Sequence, residues 1–382
     1  MNVLASKLPN AGKTIFTVMS ELADKHGAIN LSQGFPDFQP PDRLIQLLGE
    51  HSRRGHNQYA PMTGVLELRT AIADKLRDLY AVHVDAQTEI TVTSGATEAL
   101  FCAIHAIVSA GDQVIVFDPA YDSYQPAITL AGAETIHIPL RAPDFSIDWD
   151  ELQDKLNDST RMLIINSPHN PTGALLTRAD LDRLAALLRP YACYVLSDEV
   201  YEHIVFDGEQ HATVLAHPEL AERSCAVFSF GKTYHATGWK VGYCVAPRDI
   251  SEQFRAIHQY VNFATVTPIQ YALADYLHEN PAHYRQLPAF YAEKRDYFAN
   301  LLSASPFRLT PAHGTYFQLA DYAAISESSD VEFARWLTVE HGVAVIPVSV
   351  FYQTPPALTL VRFCFAKKRA TLDRAAARLA AL

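Results

Sequence analysis

No C-x-x-C pair occurs among the five cysteines, Cys102, Cys193, Cys225, Cys244 and Cys364, which are odd in number and widely spaced. That pattern argues against a disulfide framework or a zinc finger, and it fits buried, reduced thiols in a cytoplasmic protein. No apolar run approaches the ~20 residues of a membrane span, and the first fifteen residues lack the apolar stretch of a secretory leader. A soluble protein without a membrane partner is expected. Basic charge is also scarce. Lys and Arg number 31 against 42 Asp and Glu, for a net charge of −11. Nucleic acid rewards clustered cations, so it is not an expected partner. Several catalytic signatures are missing too. There is no G-x-G-x-x-G, no G-x-S-x-G elbow and no H-E-x-x-H. Gly231-Lys232-Thr233 matches only the end of a phosphate-binding loop. The place of its first glycine is taken by Ala226, inside an apolar segment. No metal site is expected.

What is present is a long chain, 382 residues with 49% hydrophobic composition, enough for two domains. From Glu89 to Pro247, short apolar segments alternate with amphipathic patterns. Strands are expected at 89–93, 113–117, 161–166, 193–197, 226–230 and 241–245. A helix is expected after Ser94-Gly95, with Leu100, Ile104, Ile107 and Val108 inward. Another starts at Thr177, where Asp180 completes a capping box, with Leu181, Leu184, Ala185 and Leu188 inward. This alternation implies an α/β fold around a mostly parallel sheet covered on both faces. The segment 35–42, with three prolines, reads as a connector. After Pro281 a long helical stretch leads to strands at 315–319, 343–347 and 358–365 and helices at 331–340 and 370–382. That mixed pattern reads as a smaller α+β domain completed by the N-terminal segment. The expected division is 1–44 and 280–382 for the small domain and 45–279 for the large one.

Parallel sheets hold ligands at the carboxyl ends of their strands. Five such ends carry polar clusters: Ser94-Gly95-Ala96-Thr97, Asp118-Pro119-Ala120-Tyr121, Asn166 to Pro171, Ser197-Asp198-Glu199 and Ser229-Phe230-Gly231-Lys232. Lys232 alone is a surface lysine by default. In a desolvated cleft near other cations it becomes a nucleophilic amine able to form a Schiff base. Asp198 alone is a cap or loop carboxylate. Facing a pyridine nitrogen it would keep that nitrogen protonated. Tyr201 and Asn170 could reach a ring oxygen, although an Asn-Pro turn explains Asn170 as well. Ser94 to Thr97 could hold a phosphate at a helix start, with Ser229 and Lys240 adding a hydroxyl and a charge. Ser94 and Thr97 are also ordinary helix-start residues. Tyr121 is either a stacking platform or a core aromatic. Arg362, inside an apolar strand, requires a partner: a structural carboxylate or a substrate carboxylate held by its planar fork.

Together with Asn30-Leu31-Ser32-Gln33-Gly34-Phe35-Pro36-Asp37-Phe38, Asn57-Gln58-Tyr59, Ser197 to Tyr201, Ser229 to Thr233, Thr237 to Gly242 and Arg362 to Phe365, these residues resemble the class I/II aminotransferases. The resemblance spans nearly the whole chain with motif order kept. Gln-Gly-Phe-Pro-Asp-Phe is similar to the kynurenine aminotransferase and glutamine transaminase branch, and within it the chain most resembles bacterial methionine aminotransferases. The resemblance implies the aspartate aminotransferase-like fold, a seven-stranded large-domain sheet, a homodimer, and pyridoxal 5'-phosphate as cofactor. Lys232 would bind the cofactor and move the proton from the substrate α-carbon. Asp198 would face the ring nitrogen, Tyr201 and Asn170 the ring oxygen, and Tyr121 the ring face. Ala96, Thr97, Ser229 and Lys240 would hold the phosphate, joined by Tyr59 of the neighbouring subunit. Gly34, Asn170 and Arg362 would place the substrate. Many relatives carry arginine where Lys240 stands, and several carry a second asparagine where His169 stands. The implied reaction moves the amino group of an uncharged amino acid to a 2-oxo acid by ping-pong kinetics. Methionine is favoured; phenylalanine, tyrosine, histidine, glutamine and kynurenine are the other candidates. A β-lyase acting on cysteine conjugates and a non-catalytic cofactor-binding regulator are the rival readings.

Overall fold

The computed structural model describes residues 5–9 and 12–382. Its centre is a seven-stranded sheet built from β1 (Ile90–Thr93), β2 (Gln113–Asp118), β3 (Glu134–Pro139), β4 (Thr160–Asn166), β5 (Tyr194–Asp198), β6 (Ser224–Ser229) and β7 (Gly242–Val245). The spatial order is β1-β7-β6-β5-β4-β2-β3. Only β7 runs against its neighbours. Residues alternate between two cores. Ile115, Leu163, Ile165, Val195, Ala226 and Phe228 enter one core, while Val114, Met162, Ile164, Leu196, Cys225 and Val227 enter the other. A sheet buried on both faces needs apolar side chains at every position, which is why the sequence shows runs and not alternation. Six of these strands match the sequence reading to within a few residues. The exception is β3, a half-buried edge strand without an apolar run. Phe230 leaves its expected strand and opens a short helix, Phe230–Thr233, that carries Lys232.

Helix Ala96–Ile107 follows β1 and buries Ala99, Leu100, Ala103 and Ile104. Val108 caps it in extended conformation instead of continuing it. Helix Arg178–Leu188 starts as expected. The Thr177 hydroxyl accepts from Asp180 N at 3.2 Å and the Asp180 carboxylate accepts from Thr177 N at 2.7 Å. Its four expected inward residues are all buried.

A second, antiparallel sheet joins Ile346–Pro347, Leu360–Cys364, Phe317–Asp321 and Arg308–Thr310 in that order. Two expectations shift here and one strand is added. The strand expected from 315 begins at Phe317, because Thr315 adopts a left-handed φ of 64° that breaks the extended run. The segment 343–347 splits: Val343–Ala344 pairs with Ile29–Asn30, whereas Ile346–Pro347 joins the four-stranded sheet. Arg308–Thr310 is an additional strand on the edge, too short and polar to show in the pattern. The helix after Pro281 runs from Ala282 to Leu302. Among the described residues no helix is long and apolar enough to cross a membrane.

Candidate active site

The carboxyl ends of the parallel strands open into a cavity of about 230 Å³. It is closed from the other side by the loop at Gln33-Gly34, by Phe16 of helix Ile15–His26 and by Phe317 and Arg362 of the second sheet. Eleven of the twelve residues expected at the site line it: Gly34, Ala96, Thr97, Tyr121, Asn170, Asp198, Tyr201, Ser229, Lys232, Lys240 and Arg362. Tyr59 does not. It stands on the surface, 85% exposed, with its ring 5.3 Å from that of Phe263.

Asp198 ends β5 and is buried without a cation in hydrogen-bonding contact. Its carboxylate accepts from the Tyr124 hydroxyl at 2.7 Å and weakly from Val200 N at 3.4 Å. Burial pushes its carboxyl up to about 6. A buried anion of this kind is stable only opposite a positive group, so a protonated heterocyclic nitrogen fits it. Lys232 faces it across the cavity. Its Nζ donates to the Gly34 carbonyl at 3.2 Å and to the Tyr316 hydroxyl oxygen at 3.1 Å. Burial, with Arg362 and Lys240 nearby, lowers its amine to about 8.

The anion cradle is built by close approach. Gly95 has a φ of 80° and caps helix Ala96–Ile107 with no side chain on its free N–H groups. A Cβ on Gly95 would stand 3.2 Å from Lys240 Nζ, and one on Gly242 would stand 2.8 Å from Ala96 N. Only glycine at both places lets the ammonium and the helix start converge. Lys240 itself takes a left-handed φ of 53°, an uncommon conformation for a side-chain-bearing residue. Free N–H groups at a helix start beside an ammonium suit a phosphate.

Arg362 is completely buried and still has donors to spare. Nη1 donates to Asn170 Oδ1 at 2.7 Å and Nη2 to the Ser32 carbonyl at 2.9 Å, while Nε has no partner. No carboxylate pairs with it among the described residues, so a structural ion pair does not account for it. Its guanidinium lies 3.8 Å from the centre of the Phe317 ring. Since Asn170 spends its carbonyl oxygen on Arg362, its amide N–H groups remain to donate. His169 is buried, bonds Thr172 Oγ1 at 2.7 Å, and is lowered by burial to about 4, so it is a neutral support for the turn.

Sequence reasoning missed Tyr124, Tyr316, Phe16 and Phe317, and it placed Asn166 in a strand-end cluster without giving it a role. Asn166 is the hub of its loop, donating to the Asp198 carbonyl at 2.8 Å and accepting from Asn170 N at 2.8 Å. Its place at a strand end was a usable signal. Nothing in the local pattern distinguishes the two tyrosines or the two phenylalanines from core aromatics.

The sequence profile of the family "Aminotransferase class I and II" matches residues 26–379. The chain belongs to the class I and II aminotransferases. This aminotransferase is 55% identical over 374 residues to the methionine aminotransferase of Escherichia coli (strain K12), covering 98% of this chain and 97% of that protein. It is 32% identical over 409 residues to kynurenine–oxoglutarate transaminase 1 of Mus musculus, with 98% and 96% coverage. Among solved structures, YbdL from Escherichia coli, described as having a methionine aminotransferase function, superposes with a TM-score of 0.98 at 54% identity, covering 100% of both chains. Members of the family depend on pyridoxal phosphate. The aminotransferase is therefore an α/β enzyme of the aspartate aminotransferase-like fold, and its substrates are an amino acid and a 2-oxo acid.

Proposed function

We propose that this aminotransferase binds pyridoxal 5'-phosphate through Lys232 and uses methionine as its favoured amino donor. The observation that carries the reading is one cavity holding three unfulfilled groups: a buried amine, a buried carboxylate without a cation, and a buried guanidinium without an anion. A cofactor with an aldehyde, a basic ring nitrogen and a phosphate, together with a substrate carboxylate, would satisfy all three and the helix start besides. When bound, the cofactor supplies an electron sink for the substrate α-carbon.

The chain's own residues do the rest. Asp198 would hold the positive charge on the ring nitrogen, and Tyr124 fixes the rotamer of Asp198 by its hydrogen bond. Tyr201 and the Asn170 amide would face the ring oxygen, and Tyr121 the ring. Ala96, Thr97, Ser229 and Lys240 would hold the phosphate. Arg362 grips the substrate carboxylate, with Gly34 and Asn170 beside it. Lys232 Nζ, once free, takes the proton from the α-carbon. Phe16 and Phe317 flank the Arg362 guanidinium, at 5.4 and 3.8 Å from their ring centres, and limit water on that side of the cavity. Both half-reactions share one cavity, so the kinetics are ping-pong.

The lining supports an uncharged substrate side chain. Among the described residues its only cations are Lys232, Lys240 and Arg362, each already assigned, which leaves none of them for a second carboxylate. The 55% identity to a methionine aminotransferase supports methionine within that class. A homodimer is part of the proposal. Tyr59, Phe263, Val266 and Tyr260 form an exposed apolar surface, with Tyr260 90% exposed, and Thr267 Oγ1 ties its two segments by bonding the Gln58 carbonyl at 2.6 Å. So is a cytoplasmic setting, supported by five buried cysteines, all unpaired.

The test is the visible spectrum of the purified protein with and without methionine, beside Lys232→Ala. A yellow band that bleaches with methionine, and is missing in the variant, is expected. Formation of a new amino acid, without ammonia and pyruvate from cysteine conjugates, separates transamination from β-elimination. A protein that stays colourless with added pyridoxal phosphate would overturn the proposal.

A further inference from the structure

We propose that Tyr316 is a positioning residue for the reaction, one that aims the lone pair of Lys232. This rests on the reading of Lys232 as the cofactor-binding amine. A neutral lysine amine has two N–H groups and one lone pair. Here two acceptors stand against Nζ, the Gly34 carbonyl at 3.2 Å and the Tyr316 oxygen at 3.1 Å. The Tyr316 hydroxyl cannot turn its own proton onto that lone pair, because it donates to the same Gly34 carbonyl at 2.6 Å. The three groups close a triangle in which every N–H and O–H is spent and only the lone pair of Nζ is free. That lone pair attacks the aldehyde carbon. A C=N double bond would replace the aldehyde C=O double bond, and the oxygen would leave as water with both amine hydrogens. In turnover the same lone pair accepts the proton of the substrate α-carbon, and the electron pair of the broken C–H bond stays with the carbon.

The hydroxyl is held in place by packing. Tyr316 is wholly buried, and its ring centroid lies 5.2 Å from Tyr201, 5.6 Å from Tyr291 and 5.0 Å from Phe317. No other side chain hydrogen-bonds to Nζ among the described residues.

The experiment uses Tyr316→Phe in the full-length chain, which keeps the ring and its packing. Cofactor-free protein is mixed with pyridoxal phosphate and growth of the visible band is timed. The variant should capture the cofactor about tenfold more slowly or worse. With the loaded enzyme its kcat should fall by about the same factor with KM for methionine within about twofold, and the kinetic isotope effect from α-deuterated methionine should rise, since positioned acid–base groups are worth factors of this order or more. A second variant carrying a fluorinated tyrosine at 316 keeps the hydroxyl and the fold while weakening the oxygen as an acceptor, and it should lie between the two. Capture and turnover within twofold of wild type in both variants would overturn the role of Tyr316. Wild-type protein that forms no band at all would overturn the underlying reading of Lys232 instead.

Discussion

A guanidinium enclosed by aromatic rings costs several kcal/mol unless something anionic meets it. Arg362 is kept charged in such a place, with burial lowering it only to about 10. Its fork is oriented by Asn170 Oδ1 and the Ser32 carbonyl and supported by the Phe317 ring. Lysine would keep the charge but lose the planar stacking and the two-point grip. Arg362→Lys should therefore raise KM for methionine about 100-fold, the loss of roughly 2–3 kcal/mol of charge-assisted bonding, and steady-state kinetics would show it. The Lys232 amine gives a pH prediction. Its folded value of about 8, depressed by burial, sets the pH above which it is neutral. Cofactor capture by the cofactor-free protein should rise about tenfold per pH unit below 8 and level off above it. Rapid-mixing spectra across that range check this, and a rise continuing to pH 10 would contradict it.

At the level of elements, the turn after β5 has two sides. Asp198 and Tyr201 face the cavity, whereas Glu199, Glu202 and His203 point into a buried polar network. Lys75, on helix Leu66–Tyr80, pairs with Glu202 and donates to Tyr243 at 2.7 Å; Tyr80 donates to Glu202 at 2.8 Å; Glu199 bonds His211 at 2.7 Å. Removing one charge strands the other in the core. Lys75→Met should destabilise the chain by about 3–5 kcal/mol, read as a lower denaturant midpoint with an unchanged slope. Burial alone would raise the Glu202 carboxyl, but His203 and Lys75 outweigh it and hold it below the usual range. The stability it contributes is therefore present above the unfolded carboxylate value of about 4.3 and is lost as pH falls below that. By contrast, Thr177→Ala removes only a surface cap and should cost about 1 kcal/mol. The capping box was legible in the sequence because Thr177 and Asp180 are three residues apart. The Lys75–Glu202 pair was not, because its partners are 127 residues apart.

For the whole molecule, the exposed surface around Tyr59 and Tyr260 predicts a dimer in sedimentation equilibrium. Tyr59→Ala should keep the dimer but release pyridoxal phosphate more readily on dilution, since the phosphate contact that the family resemblance implies for Tyr59 crosses between subunits. A monomeric wild-type protein that retains its cofactor would contradict both. The alternation of apolar runs and amphipathic helices determined the sheet, its burial on both faces, and the edge where polar residues collect, because each of these depends on neighbours a few positions apart. Arg362, inside an apolar strand, was likewise legible as a group that needs a partner, whereas Lys232 and Asp198 taken alone read as a surface lysine and a cap or loop carboxylate. The tertiary structure alone decided that Tyr124 holds Asp198, that Tyr316 and Gly34 hold Lys232, and that Phe16 and Phe317 wall the cavity. The hydrogen bonds among these contacts join residues 74, 84 and 198 positions apart. Periodicity reports which face of an element is buried, but not which distant side chain it meets there.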